Sequence, residues 1–234
     1  MNRRQFNSIS VPMLTAVLML AQQRAQALTI GDLTNAEASQ GLKTALEKGA
    51  IAAVNLLGRP DGFLGNEKVR ISLPGYLEDA AKLLRTFGQG DHIDELVTAM
   101  NRAAETAVPM ARELLVAAVK SMNVTDAKKI LLGGDTSITA FFTEKTRSPL
   151  SIKFLPVVTK ATEKVGLAEK YNQVAGKAAD FGLVKREDAN IQQYVTGKSL
   201  DGLYLMIGEE EKKIRQDPVG MGSALLKKVF GALN

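Results

Sequence analysis

The sequence predicts an all-α domain, a helical bundle of about eight to ten helices around a long proline-kinked central helix. Three observations carry this expectation. Apolar residues recur at three- and four-residue spacing through most of the 234 residues. No paired alternating segments, low-complexity tracts or fixed-period repeats appear. Only one short stretch, where Val69, Ile71 and Leu73 alternate with Arg70 and Ser72, has the period of a strand.

In chain order, a first amphipathic helix is expected over 35–57, with Leu42, Leu46, Ala50, Val54 and Leu57 on one face, Thr34 as its N-cap and Gly58 as its stop. A loop opens at Arg59-Pro60-Asp61-Gly62 and runs to Pro74. A helix over 76–87 stops at Gly88, and Asp91 caps the longest one, over 91–122. Its stripe of Ile93, Leu96, Met100, Ala104, Ala107, Ala111, Leu114 and Ala118 widens through Ala99, Ala103, Met110 and Ala117, which makes it the central helix. Pro109 lies inside it, lacks an N–H for the carbonyl of Glu105, and predicts a kink there. Shorter helices follow over 125–132, 135–147, 149–165, 167–181, 188–195, 199–215 and 218–233. Pro149 is read as a first helical residue, and Gly133-Gly134, Gly182 and Gly197 as stops.

Composition bounds the chemistry. The chain has 30 Lys and Arg against 25 Asp and Glu, one His and no Cys, a formal charge of +5. Disulfides, thiolate metal sites and cysteine nucleophiles are thereby excluded, as is a histidine-rich metal site. Arg3 and Arg4 precede an apolar run over 11–21 that ends at Ala25-Gln26-Ala27, the pattern of an export signal cleaved after Ala27. The run is about 11 residues, where a membrane-spanning helix needs about 20. Residues 1–27 are therefore expected to be a signal peptide and 28–234 a single helical domain in the periplasm, reached by the twin-arginine or the general secretory route. Without Arg3, Arg4 and Arg24 the charge falls from +5 to +2. The remaining length suffices to bury roughly 70% of the unfolded surface without a disulfide or metal.

The polar constellations each have two readings. Asn101, Glu105 and Arg112 share one flank of the long helix, and Arg102 reaches Glu105 at i+3. Either they form an internal network that fixes helix register, or they form the floor of a ligand site. Glu210 and Glu211 flank the apolar line of Leu200, Leu203, Ile207 and Ile214, and Arg215 follows Glu211 at i+4. These are a structural ion pair, or with Glu105 and Asp201 the only plausible acid–base set of an enzyme. Gly197-Lys198-Ser199 ends like a phosphate-binding loop, but Gln192 stands where the first glycine belongs and the segment follows a helix. His92 among Asp91, Asp94 and Glu95 fits a helix N-terminus better than a metal site. Leu225, Leu226, Val229 and Phe230 beside Lys227 and Lys228 suit a helix packed on the bundle or lying on an anionic membrane. Nucleic-acid binding has no support, because no arginine stripe interleaves with aromatics. No cofactor is expected.

Several separated motifs together have a known look. Gly62-Phe63-Leu64-Gly65-Asn66 leads to Val69-Arg70-Ile71-Ser72-Leu73-Pro74, followed by Met100-Asn101-Arg102-Ala103-Ala104-Glu105 and by Gly133-Gly134 before Phe141-Phe142. Tyr194-Val195-Thr196-Gly197-Lys198-Ser199-Leu200-Asp201-Gly202-Leu203 then precedes Glu210-Glu211 and Ile214-Arg215. In this order the chain resembles a bacterial envelope family catalogued as domain-of-unknown-function family 4197. The resemblance implies a helical exported domain and carries no catalytic residue. The expected function is a non-catalytic binding or envelope-interaction module, whose partner is a small molecule or an envelope protein. The alternatives are a carboxylate-dependent hydrolase-type enzyme and a carrier of a small apolar ligand held near the methionines of the long helix.

Overall fold

A computed structural model describes residues 35–216 apart from 89, 164, 181, 183 and 184. The expected signal peptide, Thr34 and the helix expected over 218–233 lie outside the described residues. Within them the chain is all-helical and contains no strand. Helix α1 covers Asn35–Leu57, α2 Gly75–Thr86, α3 Gly90–Ala107, α4 Ala111–Ser121, α5 Val124–Leu132, α6 Ser137–Thr162, α7 Gly166–Asp180 and α8 Ile191–Gln216. Short 3₁₀ turns at Val108–Met110 and Arg186–Asp188 precede α4 and α8.

The most extensive packing in the bundle is between α6 and α8, each of 26 residues. They run antiparallel, since Glu211 meets Ile138 and Thr139, Tyr204 meets Thr146, and Asp201 meets Arg147. Helix α1 lies on α8 and α4, and α3 lies on α6. Between them, Leu42, Leu46, Leu57, Phe63, Met100, Leu115, Phe142, Leu150, Phe154 and Leu203 are sealed from solvent. Burying each such side chain contributes about 1.5–3 kcal/mol. Helix α2 packs chiefly on α3 at the edge of the bundle.

Three expected boundaries differ from the observed ones. The 91–122 segment is two helices, α3 and α4, separated by the 3₁₀ turn that contains Pro109. The Pro109 ring packs over the end of α1, where a Cβ at Gly58 would lie 2.7 Å from its Cγ. Conversely, 135–147 and 149–165 are one helix that passes through both Pro149 and Pro156. Both prolines lie on the exposed face, where water can reach the carbonyls they leave unbonded, while Thr146, Leu150, Phe154 and Val158 anchor the other face in the core. Likewise Gly197 does not stop a helix. Helix α8 continues through it because Val195, Ser199, Leu200 and Leu203 are buried on either side, which outweighs the roughly 1 kcal/mol that glycine costs a helix.

The alternating segment near Ile71 is not a strand either. It runs extended beside α3, and Asn101 supplies what a neighbouring strand would have supplied. The Ile71 N–H donates to Asn101 Oδ1, and Asn101 Nδ2 donates to the Ile71 carbonyl, both at 2.8 Å.

Candidate functional site

The carboxylates that the sequence brings forward do not converge. Glu105 is on α3 beneath the loop after α1. Its Oε1 accepts the N–H groups of Phe63 and Leu64 at 3.0 and 3.1 Å, and its Oε2 accepts Arg102 Nη1 at 2.7 Å. The other edge of Arg102 donates to Asp61 Oδ1 at 2.8 Å, and these two carboxylates raise the guanidinium pKa further, Glu105 most. Asn101, one turn earlier, holds Ile71 and also donates to the Val97 carbonyl. Arg112 lies beyond the 3₁₀ turn, exposed, and takes no part in this cluster.

Glu211, with no exposed surface, is on α8 at the start of α6. Its Oε1 accepts the Ile138 N–H at 3.0 Å, and its Oε2 accepts both the N–H and the hydroxyl of Thr139 at 2.9 Å. Arg215 reaches Glu211 Oε1 through Nε and Nη2, and bonds Ser137 Oγ at 2.7 Å. Glu210 turns toward α1 and accepts Lys213 Nζ at 2.7 Å. The adjacent Glu209 bridges Lys68 and Lys212, and those two ammonium groups pull its pKa down to about 2. Asp201 belongs to neither cluster.

Asp201 instead borders a cleft of about 470 Å³ walled by α6, the turn before α8, and α8 itself. Helix α6 contributes Arg147, Ser151 and Leu155, and the turn contributes Lys185 and Asp188. From α8, Tyr194, Gly197, Lys198 and Asp201 fall at i, i+3, i+4 and i+7, one face of the helix. Arg147 Nη2 donates to Asp201 Oδ1 at 2.7 Å, and its guanidinium lies 5.9 Å from the Tyr204 ring centroid. Lys198 Nζ lies 5.7 Å from the Tyr194 ring centroid, and the Tyr194 hydroxyl donates to the Ser72 carbonyl. Burial raises the pKa of the Tyr204 phenol, against its bond with Thr146 and the charge of Arg147.

Two residues of this wall have no structural explanation. Thr146, Thr162 and Ser199 return their hydroxyls to the carbonyl four residues back, but the Thr196 hydroxyl, on a residue 2% exposed, has no partner. It is the single such buried side-chain atom among the described residues. At Gly197 an added Cβ would meet nothing within 4 Å. At Gly202, five residues on, it would lie 2.7 Å from Phe63 Cε1, so that glycine is there for packing.

The sequence places Asp201 among the candidates, sets Lys198 aside with the incomplete phosphate-loop match, and does not single out Arg147 or Thr196. The available signal was the face Tyr194, Gly197, Lys198, Asp201, a stripe without aliphatic side chains in a helix whose other residues from 191 to 203 are mostly buried. Reading Gly197 as a stop split that helix and hid the stripe. His92 is exposed at the start of α3, 4.0 Å from Glu95. Among the described residues no three His, Asp or Glu side chains are grouped to hold a metal, and no helix is long and apolar enough to cross a membrane.

An all-α bundle built on an antiparallel helix pair is the class of protein that these features define. The chain belongs to the family described as "Protein of unknown function (DUF4197)", which matches residues 32–231. No curated protein and no solved structure matches it.

Proposed function

We propose that the protein is a non-catalytic binding module of the bacterial envelope, exported to the periplasm with its first 27 residues removed, and that its ligand site is the α6–α8 cleft. The observation that carries this reading is the buried, unpartnered Thr196 hydroxyl in the cleft wall. A buried polar group without a hydrogen bond costs about 1–3 kcal/mol, so a ligand that supplies one gains that much by entering. The cleft also falls within the usual size of small-molecule sites, about 300–1,000 Å³.

The alternatives lack comparable support. Glu105 and Glu211 spend their oxygens on backbone N–H groups and arginines, which leaves no pair of carboxylates to divide acid and base roles. The cleft wall is mainly polar and carries five charged side chains, which disfavours a purely apolar cargo.

Native mass spectrometry of the protein isolated from its own periplasm tests the reading. The expected species starts at Leu28 and carries a small molecule that the Gly197→Leu variant, with its cleft filled, does not retain. A ligand held equally by both forms, or none held by the wild type, overturns the cleft as the site.

A further inference from the structure

We infer that the cleft recognises an oxyanion, a carboxylate or phosphate group of a small hydrophilic ligand, seated between Lys198 and Arg147. This rests on the binding reading above and names the ligand's chemistry.

The charges that line the cleft are Arg147, Lys185 and Lys198 against Asp188 and Asp201. Lys185 and Asp188 stand together on the turn at one wall and cancel in charge. Arg147 and Asp201 form an ion pair across the cleft. Lys198 remains: it pairs with no carboxylate among the described residues and rests on the Tyr194 ring, which orients the ammonium without neutralising it. The site therefore carries one uncompensated positive charge. Arg147 adds directional donors, since a guanidinium has five N–H groups and its hydrogen bond to Asp201 uses one.

The local shape agrees with this. Lys198 directly follows Gly197, so beside the charge the helix surface is bare backbone, and an anion can come close to it. Thr196, which precedes Gly197 in the wall, has a buried hydroxyl with no hydrogen-bond partner, and Ser151 and Gln193 supply neutral hydrogen-bonding groups. The wall is mostly polar, with Leu155 and Leu200 its aliphatic members, and so favours a small hydrophilic molecule over an acyl chain. Asp201 works against an anion, so the geometry assigns it a second effect: it holds part of Arg147 back.

The test is an amide-resolved NMR titration of the mature chain with inorganic phosphate and, separately, with succinate, at ionic strength held constant by chloride. The expected result is shifts concentrated in residues 194–201 with at least one of the two anions, the tighter one identifying the anionic group. Lys198→Gln, an exposed change, should raise Kd about tenfold or more, and Asp201→Asn should lower it several-fold by releasing Arg147. Neither anion shifting these amides, or a Kd indifferent to Lys198→Gln, overturns the inference. Weaker binding in Asp201→Asn overturns it as well, because a ligand that needs that carboxylate carries a positive group. A neutral or cationic ligand that the wild type retains and Gly197→Leu loses would sink the anion assignment and leave the binding reading intact, whereas an empty wild-type protein would sink both.

Discussion

Glu105 and Glu211, on different helices and 106 positions apart in the sequence, make the same set of bonds. Each accepts two consecutive backbone N–H groups, Phe63 and Leu64 or Ile138 and Thr139, and each is held by an arginine one turn away on its own helix. A carboxylate used this way anchors a distant piece of backbone to its helix. Its charge is balanced locally, and none of it is left for chemistry.

Removing either carboxylate should therefore destabilise the fold. Glu211→Ala strands two N–H groups and takes the buried carboxylate away from the largely buried Arg215, at a cost of about 3 kcal/mol or more. At about 2–4 °C per kcal/mol for a chain of this size, Tm falls by about 6–12 °C. Glu105→Ala falls less, because Arg102 is partly exposed and keeps Asp61. Glu210→Ala changes stability by about 1 kcal/mol or less, since its partner Lys213 is exposed. Thermal unfolding followed by circular dichroism measures all three. Glu105→Ala and Glu211→Ala variants that melt at or above the wild type would return these groups to candidacy for catalysis.

Asn101→Ala should release the extended segment from α3. Both backbone groups of Ile71 lose their partner in a buried setting, at about 1–3 kcal/mol. Hydrogen exchange should report much faster loss of protection at the Ile71 amide, with smaller change at Phe63, which Glu105 still holds. Equal deprotection of both would mean that the segment and the preceding loop open as one unit.

The two glycines of α8 should respond with opposite sign. Gly202→Ala places a methyl 2.7 Å from Phe63 Cε1 and 3.2 Å from Val69 Cβ, an overpacking that costs about 1–3 kcal/mol. Gly197→Ala meets open space and should stabilise the helix by up to about 1 kcal/mol. Urea unfolding of the two variants beside the wild type decides this, and a Gly197→Ala that destabilises would show that the helix there resists a side chain.

Acid should expose the contribution of Glu209. Its folded pKa of about 2 lies below its ordinary value, chiefly through Lys68 and then Lys212. The stabilisation is therefore complete above the unfolded pKa near 4.5 and is lost as pH falls toward 2. Wild type should exceed Glu209→Gln in urea midpoint at pH 7, with the gap narrowing below pH 4.5 and shrinking at high salt. A gap that stays constant from pH 7 to pH 3 would contradict the ion-pair origin.

The helical class was legible because it depends on periodicity, and α1 was placed from the spacing of its apolar residues and from Gly58. Boundaries at Pro149, Pro156 and Gly197 were not legible, because local propensity yields there to the anchored faces of α6 and α8. The polar clusters were legible as residues sharing a flank but not as partners of backbone. Nothing in the spacing of Asn101 and Glu105 announces that Ile71, Phe63 and Leu64 stand opposite. The cleft was least legible of all, since Arg147 and Lys198 come to line one cleft only through the antiparallel pairing of two helices far apart in sequence.

The bond between Glu211 and the start of α6 also orders the folding of the chain in time. Thr136 makes no side-chain cap for that helix, and its second and third N–H groups are answered by a residue more than seventy positions later. As the chain leaves the ribosome from its N-terminal end, the first turn of α6 stays frayed until α8 has emerged. Completion of the bundle thus waits on its last described helix, and a nascent chain that stops short of Glu211 holds an incomplete core.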